Sequence, residues 1–160
     1  MGRYTIRAME QDDAEAVARL ARLFEPISTT IFRGIPAPDA CGWVREHLAR
    51  PGWAGFVATA EDGEVVGFAL CKDLEQEESE FVFPEARKTI QLVYLAVDEA
   101  FRGQGIASAL IRACEDLAKK LGRTGVLLDV SEQNPAINLY RRLGFKRLGA
   151  QVFMRKELDQ

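Results

Sequence analysis

Leu92-Val93-Tyr94-Leu95-Ala96-Val97, followed after four residues by Arg102-Gly103-Gln104-Gly105-Ile106-Ala107-Ser108 and an amphipathic run to Leu121, decides how this chain is read. An apolar strand passes through a glycine turn into a helix. In that helix Ile106, Leu110, Ala113, Leu117 and Leu121 recur at helical spacing, and Gly122 supplies a stop just beyond them. The first amides of a helix have no intrahelical acceptor, and they sit at the positive end of the helix dipole. Glycines at such a turn let an anion approach the main chain closely, so the segment predicts a phosphate cradle. Arg102 adds a guanidinium whose planar fork suits phosphate oxygens.

Outward from this turn, the chain alternates strands and helices. Tyr4 to Ala8 predicts a strand, and Gln11, Asp12 and Asp13 introduce a helix with Ala14, Val17, Ala18 and Ala21 on one face. Pro26, Gly34, Pro36 and Pro38 make Glu25 to Asp39 a loop or short broken helix, before a second helix ending near Arg50. Trp53 to Ala60 and Glu64 to Lys72 predict antiparallel strands joined by a turn through Asp62-Gly63. The acidic stretch from Asp73 to Glu80 reads as a solvated loop, and a strand resumes near Thr89. Val126 to Val130 predicts a buried strand. Asn134 then caps a helix with Pro135 in its first turn and Ala136, Leu139, Tyr140 and Leu143 facing inward. Gly144 ends that helix, and Phe145 to Leu148 and Val152 to Lys156 predict two closing strands around Gly149.

Composition narrows the function. The 160 residues fit one domain, 1–160, with one core. With 21 basic against 24 acidic side chains and a net charge of −3, no global field draws the chain to DNA or RNA. Cys41, Cys71 and Cys114 are few, odd in number and widely spaced, which predicts reduced thiols and no zinc site. His47 is the only histidine and reads as a helix-surface residue, so neither a metal site nor a Ser/His/Asp triad is expected. No charged-then-apolar leader opens the chain, and no apolar run approaches about 18 residues, so a cytoplasmic, non-membrane location is expected. A dinucleotide-binding reading of the glycine turn fails on layout. Ser108 stands where a third glycine or alanine is wanted, and no second mononucleotide unit fits after it.

The turn Arg102 to Ala107, the strand before it, and Asn134, Ala136, Leu139, Tyr140, Gly144 and Phe145 together resemble the GNAT superfamily of acyl-CoA-dependent N-acetyltransferases. The family's Q/R-x-x-G-x-G/A signature is matched by Arg102, Gly105 and Ala107. The downstream segment has one residue fewer than the family pattern between its asparagine and alanine. Ser28 to Pro51 and Asp73 to Lys88 carry no matching motif.

The resemblance implies an α+β, α/β/α sandwich-like fold. Its sheet would be mixed and mostly antiparallel, with about seven strands, a splayed centre and about four helices. It implies acetyl-CoA as cosubstrate. The main chain of Leu95, Ala96 and Val97 would pair with the pantetheine amides. The amides of Gly103, Gln104, Gly105, Ile106, Ala107 and Ser108, with Arg102, would hold the pyrophosphate. Asn134 would face the pantetheine or sulfur end, and Tyr140 would give a proton to the leaving thiolate. Some relatives place a glutamate base on the strand before the signature, but the comparable position here is near Gln91, which cannot take that proton. No general base is therefore assigned. The acceptor would be a small-molecule amine or a protein amino group. Family members often form dimers, so a homodimer is one candidate assembly, but no exposed apolar stripe in the sequence identifies an interface and the oligomeric state stays open. A non-catalytic acyl-CoA sensor or assembly module is the competing reading, since it would keep the cradle and dispense with Tyr140.

Overall fold

β3, Val65–Asp73, is the strand around which the other layers are built. Every residue from Val65 to Cys71 is buried, as expected of a central strand covered on both faces. In the computed structural model the described residues are 3–21, 40–77, 84–152 and 154–159. They form β1 (Tyr4–Ala8), α1 (Ala14–Ala21), α2 (Ala40–Ala49), β2 (Trp53–Ala60), β3, β4 (Thr89–Val97), α3 (Ile106–Lys120), β5 (Gly125–Leu127) and α4 (Ala136–Arg142). The sheet order is β1-β2-β3-β4-β5. The first four strands are antiparallel and β5 joins β4 in parallel, which makes the sheet mixed.

The sheet separates two apolar layers. On one face Val17, Leu20 and Val44 of α1 and α2 pack on Val57, Phe68 and Leu70. On the other, Ile106, Leu110, Ile111, Cys114 and Ala118 of α3 pack on Val66, Ala69, Cys71, Ile90 and Leu92. The result is an α/β/α sandwich of the α+β class. The inward row of α3 is slightly rotated from the sequence reading, because Leu117 is only half-buried and Leu121 is exposed, while Cys114 and Ala118 are buried.

Several expectations are corrected. The two closing strands do not form among the described residues, so five strands stand where about seven were expected. Leu148, Val152 and Met154 are 85%, 83% and 90% exposed. Alternation makes a segment compatible with a strand, but a strand also needs a neighbouring ladder, and the adjacent β5 is only three residues long. That strand, expected over Val126 to Val130, is Gly125–Leu127 and half-buried. His47 is not a surface residue: it is 9% exposed, and its ring stacks on Trp43 at 3.8 Å and meets Trp53 edge-on at 4.8 Å. Its Nδ1 lies 2.8 Å from the Trp43 carbonyl oxygen, which satisfies the buried ring.

The acidic stretch does not begin as a solvated loop. Asp73 ends β3 with a side chain 7% exposed, and Arg123 donates to both its carboxylate oxygens at 2.8 Å. Leu74 is also buried, in a short 3₁₀ turn. The expected loop over Glu25 to Asp39, Glu78 and Glu80 of the acidic stretch, and Phe153 of the last expected strand lie outside the described residues.

Candidate active site

The turn before α3 is built as its glycines require. Asp98 anchors the end of β4 by donating its amide to the Val66 carbonyl at 2.8 Å, and its side chain accepts from the Ala100 amide at 3.0 Å. After a 3₁₀ turn over Glu99–Phe101, Gly103 and Gly105 take φ of 77° and 82°, a region that L side chains rarely adopt. The Ala109 amide donates to the Gly105 carbonyl at 3.0 Å. By helix geometry the amides of Ile106, Ala107 and Ser108 therefore have no intrahelical acceptor. Arg102 is 53% exposed at this mouth, with its Nε donating to the Val97 carbonyl at 3.3 Å and its guanidinium 3.8 Å from Glu99.

Gly67, which sequence reading did not single out, seats this turn. It pairs with Val97 across the β3–β4 ladder. A Cβ at Gly67 would lie 3.2 Å from both the Ala96 carbonyl oxygen and Ile106 Cγ2. The missing side chain lets the first turn of α3 lie directly on the sheet. The available signal was an isolated glycine inside an apolar strand, which marks close approach.

Beside the turn the sheet opens. The β4–β5 ladder ends at Gln91 opposite Leu127, while β4 runs on from Leu92 to Val97. Leu95, Ala96 and Val97 pair with Ala69, Phe68 and Gly67 on one side only, so their strand edge toward β5 carries no ladder. This is a fork, with the Gln91 side-chain amide reaching Asp129 Oδ1 at 3.4 Å near its apex.

Asn134 precedes α4, and Tyr140 on that helix lies on the α3 side of the sheet. Asn134 Oδ1 accepts the Ala136 amide at 2.9 Å, and the Asn134 amide donates to Ser131, so the expected cap is present. Tyr140 packs in the apolar layer that also holds Leu95, Val97, Ile106 and Ala107, with its ring edge-on to Phe145 at 5.7 Å. Burial pushes the Tyr140 phenol above its ordinary value, so it holds its proton at neutral pH. Ala96 faces the opposite layer, against α1 and α2. The glycine turn follows the open edge of β4 along the chain, and the α4 tyrosine packs in the apolar layer that both border. Among the described residues no group of three His, Cys, Asp or Glu side chains is placed to hold a metal ion. Among them, also, no helix is long and apolar enough to cross a membrane.

Known proteins resemble this chain in sequence and in fold. Over 117 residues the chain is 46% identical to N-acetyltransferase 8B of Homo sapiens, covering 72% of this chain and 48% of that protein. Over 150 residues it is 35% identical to an uncharacterized N-acetyltransferase of Methanocaldococcus jannaschii, covering 89% of this chain and 61% of that protein. The chain spans about half the length of the mammalian relatives it matches. Among solved structures it is similar to the aminoglycoside N-acetyltransferase AAC(6')-Iy in complex with CoA, with a TM-score of 0.77 at 23% identity, covering 99% of this chain and 97% of that one. The likeness at that identity is one of fold. A model of the acetyltransferase (GNAT) family matches residues 17–145, which include the fork, the glycine turn and α4, and the chain belongs to that family.

Proposed function

We propose that this protein transfers the acetyl group of acetyl-CoA to a primary amine by direct attack within one cleft. The observation that carries the reading is the pairing of two features: a helix start with unpaired amides and, beside it, a strand edge released from its ladder. The first suits a diphosphate and the second suits an extended amide-bearing arm, which are the two ends of coenzyme A apart from its base and ribose.

The residues divide the work. Amides from Gly103 to Ser108, with Arg102, hold the diphosphate, and the main chain of Leu95, Ala96 and Val97 pairs with the pantetheine arm. Amides on that edge can also accept the charge that develops on the thioester oxygen as the C–N bond forms. Holding both reactants in the fork replaces a bimolecular encounter with a local one. As the C–S bond breaks, the Tyr140 hydroxyl donates to the departing sulfur, and the proton lost by the acetylated nitrogen, passed through water, returns the phenol to its neutral form. A phenol with a raised pKa keeps its proton until the thiolate appears. Asn134 uses its Oδ1 as a cap and retains its amide hydrogens for the arm.

The test follows free thiol released from acetyl-CoA over a panel of amines and basic peptides, with Tyr140→Phe alongside. Turnover with one amine class, reduced in the variant, is the expected outcome. Tight CoA binding with no turnover on any acceptor would instead make the chain an acyl-CoA sensor.

A further inference from the structure

One row of side chains crosses the sheet at the apex of the fork. Trp53 pairs with Lys72, Lys72 with Gln91, and Gln91 with Leu127, so the four share a face. It is the α1/α2 face, because Leu70, two residues before Lys72, packs in that layer. Asp129 lies two residues beyond Leu127, and the 3.4 Å contact from Gln91 Nε2 places its carboxylate over the same row. Next along β4, Tyr94 presents its ring edge-on to Trp43 at 5.4 Å. The negative charge of Asp129 is felt at the Tyr94 hydroxyl, where it adds to burial in raising the phenol pKa.

The charges on this row are unequally partnered. The Lys72 ammonium is held by Glu77 at 2.5 Å and lies 5.6 Å from the Trp53 ring centroid. Asp129 is exposed, and among the described residues it makes no ion pair; its one side-chain contact is the neutral Gln91 amide. An exposed carboxylate beside aromatic rings, at the point where two strands part, is the combination that receives a cation.

From this geometry we infer that Asp129 docks the ammonium group of the acceptor at the fork apex, with the Tyr94 ring beside it. The inference rests on the acetyl-transfer reading for where the acceptor must arrive, and it narrows the acceptor to an amine that enters as a cation and gives one proton to water at the exposed Asp129 carboxylate before its freed nitrogen attacks. Gln91 then has a positioning role: its side-chain amide holds Asp129 in place and takes no proton.

The experiment compares wild-type protein with Asp129→Asn and Asp129→Glu, in the presence of CoA. The probes are spermidine, lysine amide and an alanine-initiated peptide, each paired with an uncharged analogue, and tryptophan fluorescence and calorimetry report binding. Asparagine keeps the shape and can still accept from Gln91. The expected result is that at least one cationic probe binds wild type and loses about tenfold or more in affinity in Asp129→Asn. Glutamate should restore part of the loss, with CoA affinity unchanged in all three proteins. Equal affinity in wild type and Asp129→Asn, or no cationic probe bound by wild type, overturns the assignment. A probe that binds through Asp129 but is never acetylated removes the transferase reading and leaves the docking site standing.

Discussion

Gly67 and Ile106 lie so close that a single methyl group at Gly67 would sit 3.2 Å from Ile106 Cγ2. The Ile106 side chain has some freedom to turn away, but the Ala96 carbonyl oxygen, also at 3.2 Å, belongs to a paired central strand and does not. Gly67→Val should therefore push the first turn of α3 off the sheet. We expect a stability loss of about 1–3 kcal/mol from overpacking. CoA affinity should fall further than that loss alone explains, because the displaced amides are those at the mouth of the turn. Thermal unfolding together with CoA titration of the folded variant checks both parts. Unchanged CoA affinity would separate Gly67 from the site.

The ion pair between Asp73 and Arg123 joins the end of β3 to the loop after α3. Arg123 is itself placed by the helix terminus: its amide reaches the Ala118 carbonyl at 2.8 Å and the Gly122 amide reaches Lys119 at 3.0 Å, with Gly122 at φ 70°. Asp73→Asn should cost about 2 kcal/mol, less than the ~3–5 kcal/mol of breaking a fully buried pair because the rim of Arg123 still meets water. The Arg123 guanidinium holds the Asp73 carboxyl below its ordinary range, as Arg7 does for Asp13. A depressed carboxyl contributes its stability fully above the ordinary pKa of about 4 and loses it as pH falls through the folded value. The difference between wild type and Asp73→Asn should thus be flat above about pH 5 and shrink below pH 4. Denaturant titrations across that range measure it, and a difference that grew on acidification would contradict the sign.

What was legible in the sequence was local. The turn Arg102 to Ala107, the cap Asn134 and the stop Gly122 each follow from the conformation of a few neighbouring residues, and each is found where expected. Asp73 was misread because its partner lies fifty residues away, and nothing in an acidic run announces a distant arginine. His47 was misread for another reason: its partners are near in sequence, Trp43 one turn back on α2 and Trp53 at the start of β2, but a polar residue type gives no sign that both rings close over it. The closing strands show the reverse error, in which a local pattern at Val152 to Lys156 was credited with a ladder that only a neighbour can supply. At the site, the glycine turn and the strand before it were legible, and the contact between Gln91 and Asp129, 38 residues apart, was not.

Tyr140→Phe removes a hydroxyl and leaves the ring packed against Phe145. The fold should survive, and kcat should drop on the order of 10²-fold if the phenol assists the departing sulfur. Because burial raises its pKa from the ordinary 10, Tyr140 stays protonated throughout the usual assay range. Any limb of the pH–rate profile below pH 10 therefore belongs to another group and should persist unshifted in the variant. A basic limb below pH 10 that vanished in Tyr140→Phe would show the phenol titrating earlier than its burial allows.

Arg102 and Gly105 contribute to the turn in different ways, and substitution should separate them. Arg102→Ala removes an exposed guanidinium that also reaches Glu99 and the Val97 carbonyl. The lost charge contact should weaken CoA binding about tenfold at low salt and less at high salt, with little change in stability. Gly105→Ala meets no steric obstacle nearer than the Tyr4 hydroxyl at 3.6 Å, so space is not the constraint. The constraint is φ of 82°, which costs an L residue about 1–2 kcal/mol. The variant must either carry that strain or turn its peptide planes, and the second course redirects the amides proposed to receive the diphosphate. Salt-insensitive loss of CoA affinity in Gly105→Ala, beside salt-sensitive loss in Arg102→Ala, is the expected pair of results. Equal salt dependence in both would mean that the amides and the guanidinium do not act as separate contacts on the same anion.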